Sequence, residues 1–389
     1  MAYQERHMKI LILGGDGYLG WPTAMHLSAR GHEVACADNY LRRTLGANEG
    51  GEPLFPTPRL PERAAIWKAA SGKDVRVFEG DLSQWDFVDE VFTAFTPDAV
   101  VHYAEQPSAP YSMMHRRAAS LTLTNNLATT ANCVFAVREF CPKAHIVKLG
   151  TMGEYGTPNI DIEEGWLEVE HKGRRHRFLY PRQASSLYHT TKIMDTDMLW
   201  FYVRTWGIAV TDLMQGPVYG MSTVESGDDE RLMPFFNYDE LFGTVLNRFM
   251  VQAVAGVPLT VYGSGRQIRG YLNLIDTVNC VRLALENPAK PGELRVFNQL
   301  TETFDVLTLA DRVKRVGEAM GIDVRVQHLP NPRKEAEEHY YNPAYTGLTD
   351  LGLKPTLLTD AVLRSMMEIV ARHKASIRPQ TIFRGVKWA

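Results

Sequence analysis

The chain has 389 residues, with 42 Lys and Arg set against 45 Asp and Glu, for a formal charge of only −3. Apolar residues make up 45% and charged residues 22%, a globular composition able to bury a large core. The near-neutral balance argues against nucleic acid or an anionic membrane as a partner. Four scattered cysteines, Cys36, Cys133, Cys141 and Cys280, form no CxxC pair. That argues against zinc, any other metal centre or a disulfide framework, and leads to the expectation of a reducing, cytoplasmic setting.

Met1 to Met8 is short and polar, without the pattern of a leader peptide. No apolar run approaches the ~18 residues that span a bilayer. Lys9-Ile10-Leu11-Ile12-Leu13 reads as a strand buried on both faces. Gly14-Gly15-Asp16-Gly17-Tyr18-Leu19-Gly20 follows, and a helical pattern continues through Leu27. Val34 to Ala37 reads as a second buried strand that ends at Asp38. Spaced G-x-x-G-x-x-G between a strand and a helix, the glycines let the backbone turn and approach a pyrophosphate at the helix N-terminus. Asp38, 18 residues beyond Gly20, suits the ribose hydroxyls of NAD and repels the extra phosphate of NADP. Arg42 and Arg43 stand close enough in sequence to keep NADP open.

Residues 41–74 hold several Gly and Pro and read as an inserted excursion. Val75 to Phe78, Ala99 to His102 and His145 to Leu149 read as further strands, with helices around Trp85 to Phe95 and Asn126 to Phe140 between them. Alternating strands and helices predict an α/β fold, a doubly wound parallel sheet of the Rossmann type, with ligands at the C-terminal strand ends. Past Tyr219, loops rich in Gly and Pro surround short elements. The division expected is a cofactor-binding domain over 1–219 and a smaller, mainly substrate-binding part over 220–389, some segments of which return to the first. Asp81, in Gly80-Asp81-Leu82, is either an adenine contact or a helix N-cap.

Tyr188-His189-Thr190-Thr191-Lys192 places Tyr188 and Lys192 four residues apart, on one face of a helix. An ammonium beside a phenol lowers the phenol's pKa, which would make Tyr188 a base for an alcohol undergoing oxidation. Thr151, after Gly150 at the end of a buried strand, would share the same hydroxyl.

Together these motifs resemble the extended short-chain dehydrogenase/reductase family that modifies nucleotide sugars. Gln215-Gly216-Pro217-Val218-Tyr219-Gly220, and Gly263 through Tyr271 with Asp276, carry the resemblance into the second half. Three longer segments resemble its UDP-sulfoquinovose synthase branch: Leu149 to Ile162, Phe242 to Phe249 and Asn331 to Tyr341. The resemblance implies a homodimer that binds NAD and UDP-glucose. The sugar's C4 is oxidised, water is lost across C5 and C6, sulfite adds at C6, and the hydride returns.

It also implies site residues. The catalytic set is Thr151, Tyr188 and Lys192, with Glu154 and His189 as the nearest acid–base groups. The cofactor would meet Gly14, Gly17, Tyr18, Leu19, Gly20, Asp38, Asn39, Arg42, Asp81, Leu82, Tyr103, Asn126, Tyr188, Lys192 and Gln215. Asn126 stands where a helix is expected to begin. The nucleotide sugar would meet Gln106, Ser108, Met152, Gln215, Asn247, Arg248, Tyr262, Arg269, Arg333 and Glu338. Arg269 suits a diphosphate through its fixed guanidinium fork.

Two departures from the resembled patterns stand out. Glu105-Gln106 is followed by Pro107 where the branch carries an arginine, so the cation for sulfite must come from elsewhere, with Arg182 or protonated His189 as candidates. Met152-Gly153 replaces the Asp-Glu pair of sugar dehydratases. Three readings follow: a sulfoquinovose synthase, an epimerase or dehydratase of another nucleotide sugar, and a non-catalytic NAD-binding regulator. The intact Thr151, Tyr188 and Lys192 argue against the last.

Overall fold

The computed structural model describes residues 7–331 and 339–386. Seven short apolar runs form one parallel sheet: β1 (Lys9–Leu13), β2 (Glu33–Asp38), β3 (Val75–Glu79), β4 (Ala99–His102), β5 (His145–Thr151), β6 (Ala209–Gln215) and β7 (Leu294–Gln299). Their order across the sheet is β7-β6-β5-β4-β1-β2-β3, with every neighbouring pair parallel. Connections run outward in both directions from β1, so a crevice opens at the C-terminal ends of β1 and β4, where such sheets bind ligands. Ile10, Leu11 and Ile12 are fully buried because helices cover both faces of the sheet.

The covering helices include Gly20–Ala29, Trp85–Phe95, Arg116–Phe140, Leu187–Trp206 and Leu274–Glu286. Leu187–Trp206 begins at Ser186, whose hydroxyl accepts the His189 amide, and ends at Gly207 in the left-handed region. The last turn of that helix and the Arg116–Phe140 helix carry Trp206 and Phe135, whose rings meet at 5.1 Å.

A second core gathers the helices Val245–Ala255, Val306–Ala319 and Asp360–Arg372, with Tyr219, Met233, Phe249, Val313 and Met367 buried among them. Leu54 and Phe55 from the early chain pack into it as well.

Two expectations about local structure need correction. Residues 41–74 hold two helices, Leu41–Asn48 and Leu60–Ser71. In the second, Pro61 stands near the start and Gly72 is the left-handed C-cap, while Gly46 lies inside the first. Asn126 does not begin a helix. It lies inside Arg116–Phe140, which His115 caps through the Ala118 amide.

Candidate active site

A cavity of about 760 Å³ occupies the crevice. It runs from the glycine loop, past the ends of β1, β2, β4 and β5, to the helix Val245–Ala255 and the strand Ile268–Asn273. At its first end the loop folds tightly on itself. Gly14 has φ +87°, and a Cβ on Gly20 would stand 2.1 Å from the Gly14 carbonyl oxygen. Gly17 is different: the nearest atom to a Cβ there would be 3.6 Å away, and the residue lines the cavity. The fold itself does not need a glycine at 17. Its bare backbone leaves the rim clear for a pyrophosphate to approach the amides at the helix start, so these residues fit a dinucleotide.

Asp38 lines the cavity at the end of β2. Its carboxylate accepts the Tyr40 amide at 2.7 Å and the Asp16 amide at 2.9 Å. Burial and the nearby Asp16 carboxylate push its pKa up to about 6. The two arginines that kept NADP open are engaged elsewhere. Arg43 grips Asp16 at 2.6 and 2.7 Å and donates to the Thr57 and Pro58 carbonyls. Arg42, on the cavity wall, donates to Asn237 and the Phe242 carbonyl and stacks on the Phe242 ring. Neither guanidinium is held ready for a 2′-phosphate. Leu19, Asn39, Asp81, Leu82, Tyr103 and Gln215 also line the cavity. Asp81 accepts the Ser83 amide, a turn contact. Tyr18 lines it too, its hydroxyl donating to the Gly220 carbonyl at 2.7 Å.

Thr151, Met152, Gly153, Tyr188 and His189 share another wall. The Thr151 hydroxyl accepts the Gly153 amide at 3.2 Å. His189 Nδ1 stands 3.1 Å from the Ser185 hydroxyl, and its ring is 5.3 Å from that of Tyr188.

Behind this wall lies a buried set of charges. Lys192 does line up with Tyr188 on the helix, but its ammonium rests on Glu105 and stands 3.5 Å from Asp195. Burial works against that charge, yet the two carboxylates outweigh it and hold Lys192 above lysine's ordinary value. Tyr188 is pushed above the ordinary phenol value, first by burial and then by Glu105 and Glu154. The expected net lowering of the phenol is therefore absent in the resting site: burial and the carboxylates raise it, and Lys148 offsets them only in part.

Glu154 is a second correction. It is fully buried and does not line the cavity. One oxygen accepts the Thr151 amide at 3.1 Å and lies 3.5 Å from Lys148; the other stands 3.2 Å from Arg182. Thr151 and Glu154 form a reciprocal capping box around the short turn Met152–Glu154. Glu154 thus holds Thr151 in place from behind the cavity wall, and Arg182, 5% exposed beside it, does not line the cavity either.

Three further expected contacts turn inward. Asn126 accepts the Gln106 amide at 2.8 Å and donates to Thr191. Gln106 is held by Thr122 and Ser108. Asn247 donates to the Tyr18 hydroxyl at 3.0 Å and accepts the Gly220 amide at 3.1 Å. All three brace the wall without lining it. Ser108, Arg248, Tyr262 and Arg269 do line it. Arg248 is 6% exposed, and its Nε has no hydrogen-bond partner among the described residues. Arg269 donates to the Ile268 carbonyl and contacts His339. Arg333 and Glu338 lie outside the described residues.

Sequence reasoning did not single out Glu105, Lys148, Asp195 or Glu240 as site residues. Glu240 lines the cavity and receives the Tyr262 hydroxyl. Glu105 is separated from Lys192 by 87 residues, which leaves no local signal of their contact.

Residues 10–298 match the NAD dependent epimerase/dehydratase family. Spinacia oleracea UDP-sulfoquinovose synthase, chloroplastic, is 49% identical over 380 residues, covering 98% of this chain and 79% of that protein. UDP-sulfoquinovose synthase of Sulfolobus acidocaldarius is 43% identical over 384 residues, 98% of each. The chain belongs to the NAD dependent epimerase/dehydratase family, in its UDP-sulfoquinovose synthase branch. Solved epimerases share the family's fold. UDP-glucose 4-epimerase from Bifidobacterium longum, in complex with NAD+ and UDP, superposes with a TM-score of 0.72 at 18% identity, over 95% of this chain and 99% of that one. No helix among the described residues is long and apolar enough to cross a membrane.

Proposed function

We propose that the protein is an NAD-dependent nucleotide-sugar enzyme that converts UDP-glucose and sulfite to a UDP-linked 6-sulfonated sugar through a 4-keto intermediate. The observation that carries this reading is the continuity of one cavity, from Gly17 and Asp38 past Thr151, Tyr188 and His189 to Arg248 and Arg269. It suits a dinucleotide at one end and a charged nucleotide sugar at the other, with the reactive side chains between them.

Gly14, Gly17, Gly20 and Asp38 would hold NAD, which when bound would supply the acceptor for the C4 hydride and the donor for its return. Tyr188 takes the proton of the sugar's 4-hydroxyl, and Thr151 hydrogen-bonds the same oxygen. The 4-ketone acidifies the C5 proton. With Glu154 turned into the wall, His189 is the acid–base group for removing that proton and protonating the departing C6 hydroxyl. Sulfite then forms its carbon–sulfur bond to C6 as the C5–C6 double bond opens, and C5 takes back a proton from His189, which restores the 4-ketone for reduction. Ser108, Met152, Gln215, Tyr262 and Arg269 complete the sugar-nucleotide wall, and Arg248 meets an anionic group there.

A second reading, epimerisation or dehydration of another nucleotide sugar, is favoured by Pro107 alone. It lines the cavity and offers no cation. We further propose a homodimer joined through the helices Arg116–Phe140 and Leu187–Trp206, whose Phe135, Met194 and Phe201 are exposed. A cytoplasmic setting is consistent with four cysteines that are free and buried.

The test is incubation of the purified protein with UDP-glucose, with and without sulfite, followed by mass spectrometry. A sulfite-dependent sulfonated UDP-sugar is expected. Deuterium exchange into C5 with no sulfite-dependent product would favour the second reading. Normal turnover in Tyr188→Phe would overturn the mechanism in either case.

A further inference from the structure

Glu105 follows β4 on the loop that carries Pro107, and it is the cavity-lining carboxylate in contact with Lys192. One of its oxygens holds the Lys192 ammonium; the other, Oε2, is buried without a hydrogen-bond partner among the described residues. The Glu105 side chain is 5% exposed and that of Lys192 is 2%, so their interaction is little screened by water.

The charged groups around Tyr188 come from several elements. Glu105 belongs to the loop after β4, Lys148 to β5 and Glu154 to the turn after it. Lys192, Asp195 and His189 share the tyrosine's own helix. A lone ammonium one helical turn away would favour the phenolate. A carboxylate resting on that ammonium turns a point charge into a short dipole, whose field at the phenol is far weaker.

We propose that Glu105 is a positioning residue for the reaction: by holding the Lys192 ammonium it cancels the lysine's pull on the Tyr188 proton, so the resting site keeps Tyr188 as a phenol. This rests on the reading of Tyr188 as the base. The unpartnered Oε2 gives the device a trigger. A ligand hydroxyl entering the cavity finds an acceptor there, and donating to it draws negative charge away from Lys192, whose field then reaches the phenol. Burial is the first cause that raises the phenol's proton affinity in the absence of ligand, and the Glu105 and Glu154 carboxylates add to it.

The experiment compares wild type, Glu105→Gln, Lys192→Met and the double variant, each with its Tyr188→Phe counterpart. Tyrosinate absorbance is followed against pH, and subtracting the counterpart isolates the Tyr188 step without any need for turnover. The pH profile of kcat with UDP-glucose and sulfite is recorded alongside. In Glu105→Gln the Tyr188 step should move down by about 1–3 pH units, the shift an unopposed cation produces at close range, and the rising limb of kcat should follow it. In the double variant, which leaves neither member of the pair without its partner, the step should return toward wild type.

A step that is unmoved or raised in Glu105→Gln overturns the proposal. A double variant displaced as far as Glu105→Gln overturns it too, because the carboxylate would then act on the phenol without the lysine. Should Glu105→Gln fail to fold, the double variant set against wild type and Lys192→Met decides: only a step below that of Lys192→Met and near that of wild type supports the proposal. Undiminished turnover in Tyr188→Phe would instead refute the role of Tyr188 as base while leaving the titration readable.

Discussion

His189 occupies the space that a side chain at Gly153 would need: a Cβ on Gly153 would stand 2.3 Å from the imidazole Nε2. Met152-Gly153 takes the place of the acidic pair expected in sugar dehydratases, and the ring on the next helix fills the gap. Ser185 holds the other ring nitrogen at 3.1 Å, a contact that orients the imidazole against the cavity wall.

The first prediction follows from that packing. Gly153→Ala should push the ring off its position while leaving the glycine loop and Asp38 untouched. NAD retention should therefore persist, and kcat for the sulfonated product should fall about 10–100-fold, as a displacement of the order of an ångström commonly does. His189→Gln should lose more, about 10²–10⁴-fold, if the imidazole moves protons. Full activity in both variants would remove His189 from the mechanism. Product assay and cofactor content on the same preparations separate the two effects.

A pH dependence of cofactor binding follows from Asp38. Its free-protein pKa of about 6 means that a growing fraction carries a proton below that pH. The two carboxylate oxygens already accept the Tyr40 and Asp16 amides. The protonated form cannot also accept from both ribose hydroxyls, so NAD binding should weaken as pH falls through about 6. The apparent Kd should rise up to tenfold per pH unit, as linkage to one proton requires. Titration calorimetry over a pH series checks this, with Asp38→Asn expected to bind weakly and without the slope. A flat wild-type profile would show that Asp38 does not carry the ribose.

Stability should depend on Asp16. It is 2% exposed and pairs with Arg63, which is fully buried, at 3.4 Å, as well as with Arg43. Burial pushes the Arg63 guanidinium down to about 9, and Asp16 opposes that shift. Asp16→Ala would leave Arg63 with its Trp21 stacking and the Met233 and residue-16 carbonyls but no countercharge. Breaking a buried pair from one side typically costs about 3–5 kcal/mol, and urea melts should register a loss of that order. A loss under about 1 kcal/mol would mean that water reaches Arg63.

How much of this was legible beforehand depended on how local the signal was. β1 through β5, the glycine loop, Asp38, Thr151 and Tyr188 announce themselves in short apolar runs and fixed spacings, and those are properties of neighbouring residues. The fate of Lys192 was not legible, because its ammonium meets Glu105 across 87 positions of chain. Glu154 misled for a related reason. Three residues after Thr151 it appeared to face the same space, but the tight turn sends its carboxylate back to the Thr151 amide and the buried Lys148. Asn126 lay in a helix whose true start, at His115, carries no Ser, Thr, Asp or Asn to mark it.

The last prediction concerns sulfite. Pro107 lines the cavity and brings no charge, and Arg182, one candidate replacement, stands behind the wall on Glu154. Arg42 is committed to Asn237 and the Phe242 carbonyl. Beside Arg269 and His189 the cavity offers Arg248, a buried, lining guanidinium with no carboxylate partner among the described residues. An anionic reactant needs such a group, since charge repulsion strengthens in a dry cleft. Arg248→Ala should raise KM for an anionic substrate by about 10–100-fold, the worth of a charged hydrogen bond. Initial rates with UDP-glucose and sulfite varied in turn reveal which anion Arg248 meets. A rise for sulfite alone makes it the substitute for the missing arginine; a rise for UDP-glucose alone assigns it to the diphosphate. In the first case Pro107→Arg should restore sulfite KM in the Arg248→Ala background, because the new guanidinium reaches the same cavity. In the second, Pro107→Arg in the wild type should lower sulfite KM with UDP-glucose unaffected. Unchanged KM for both anions in Arg248→Ala would show that the guanidinium meets neither.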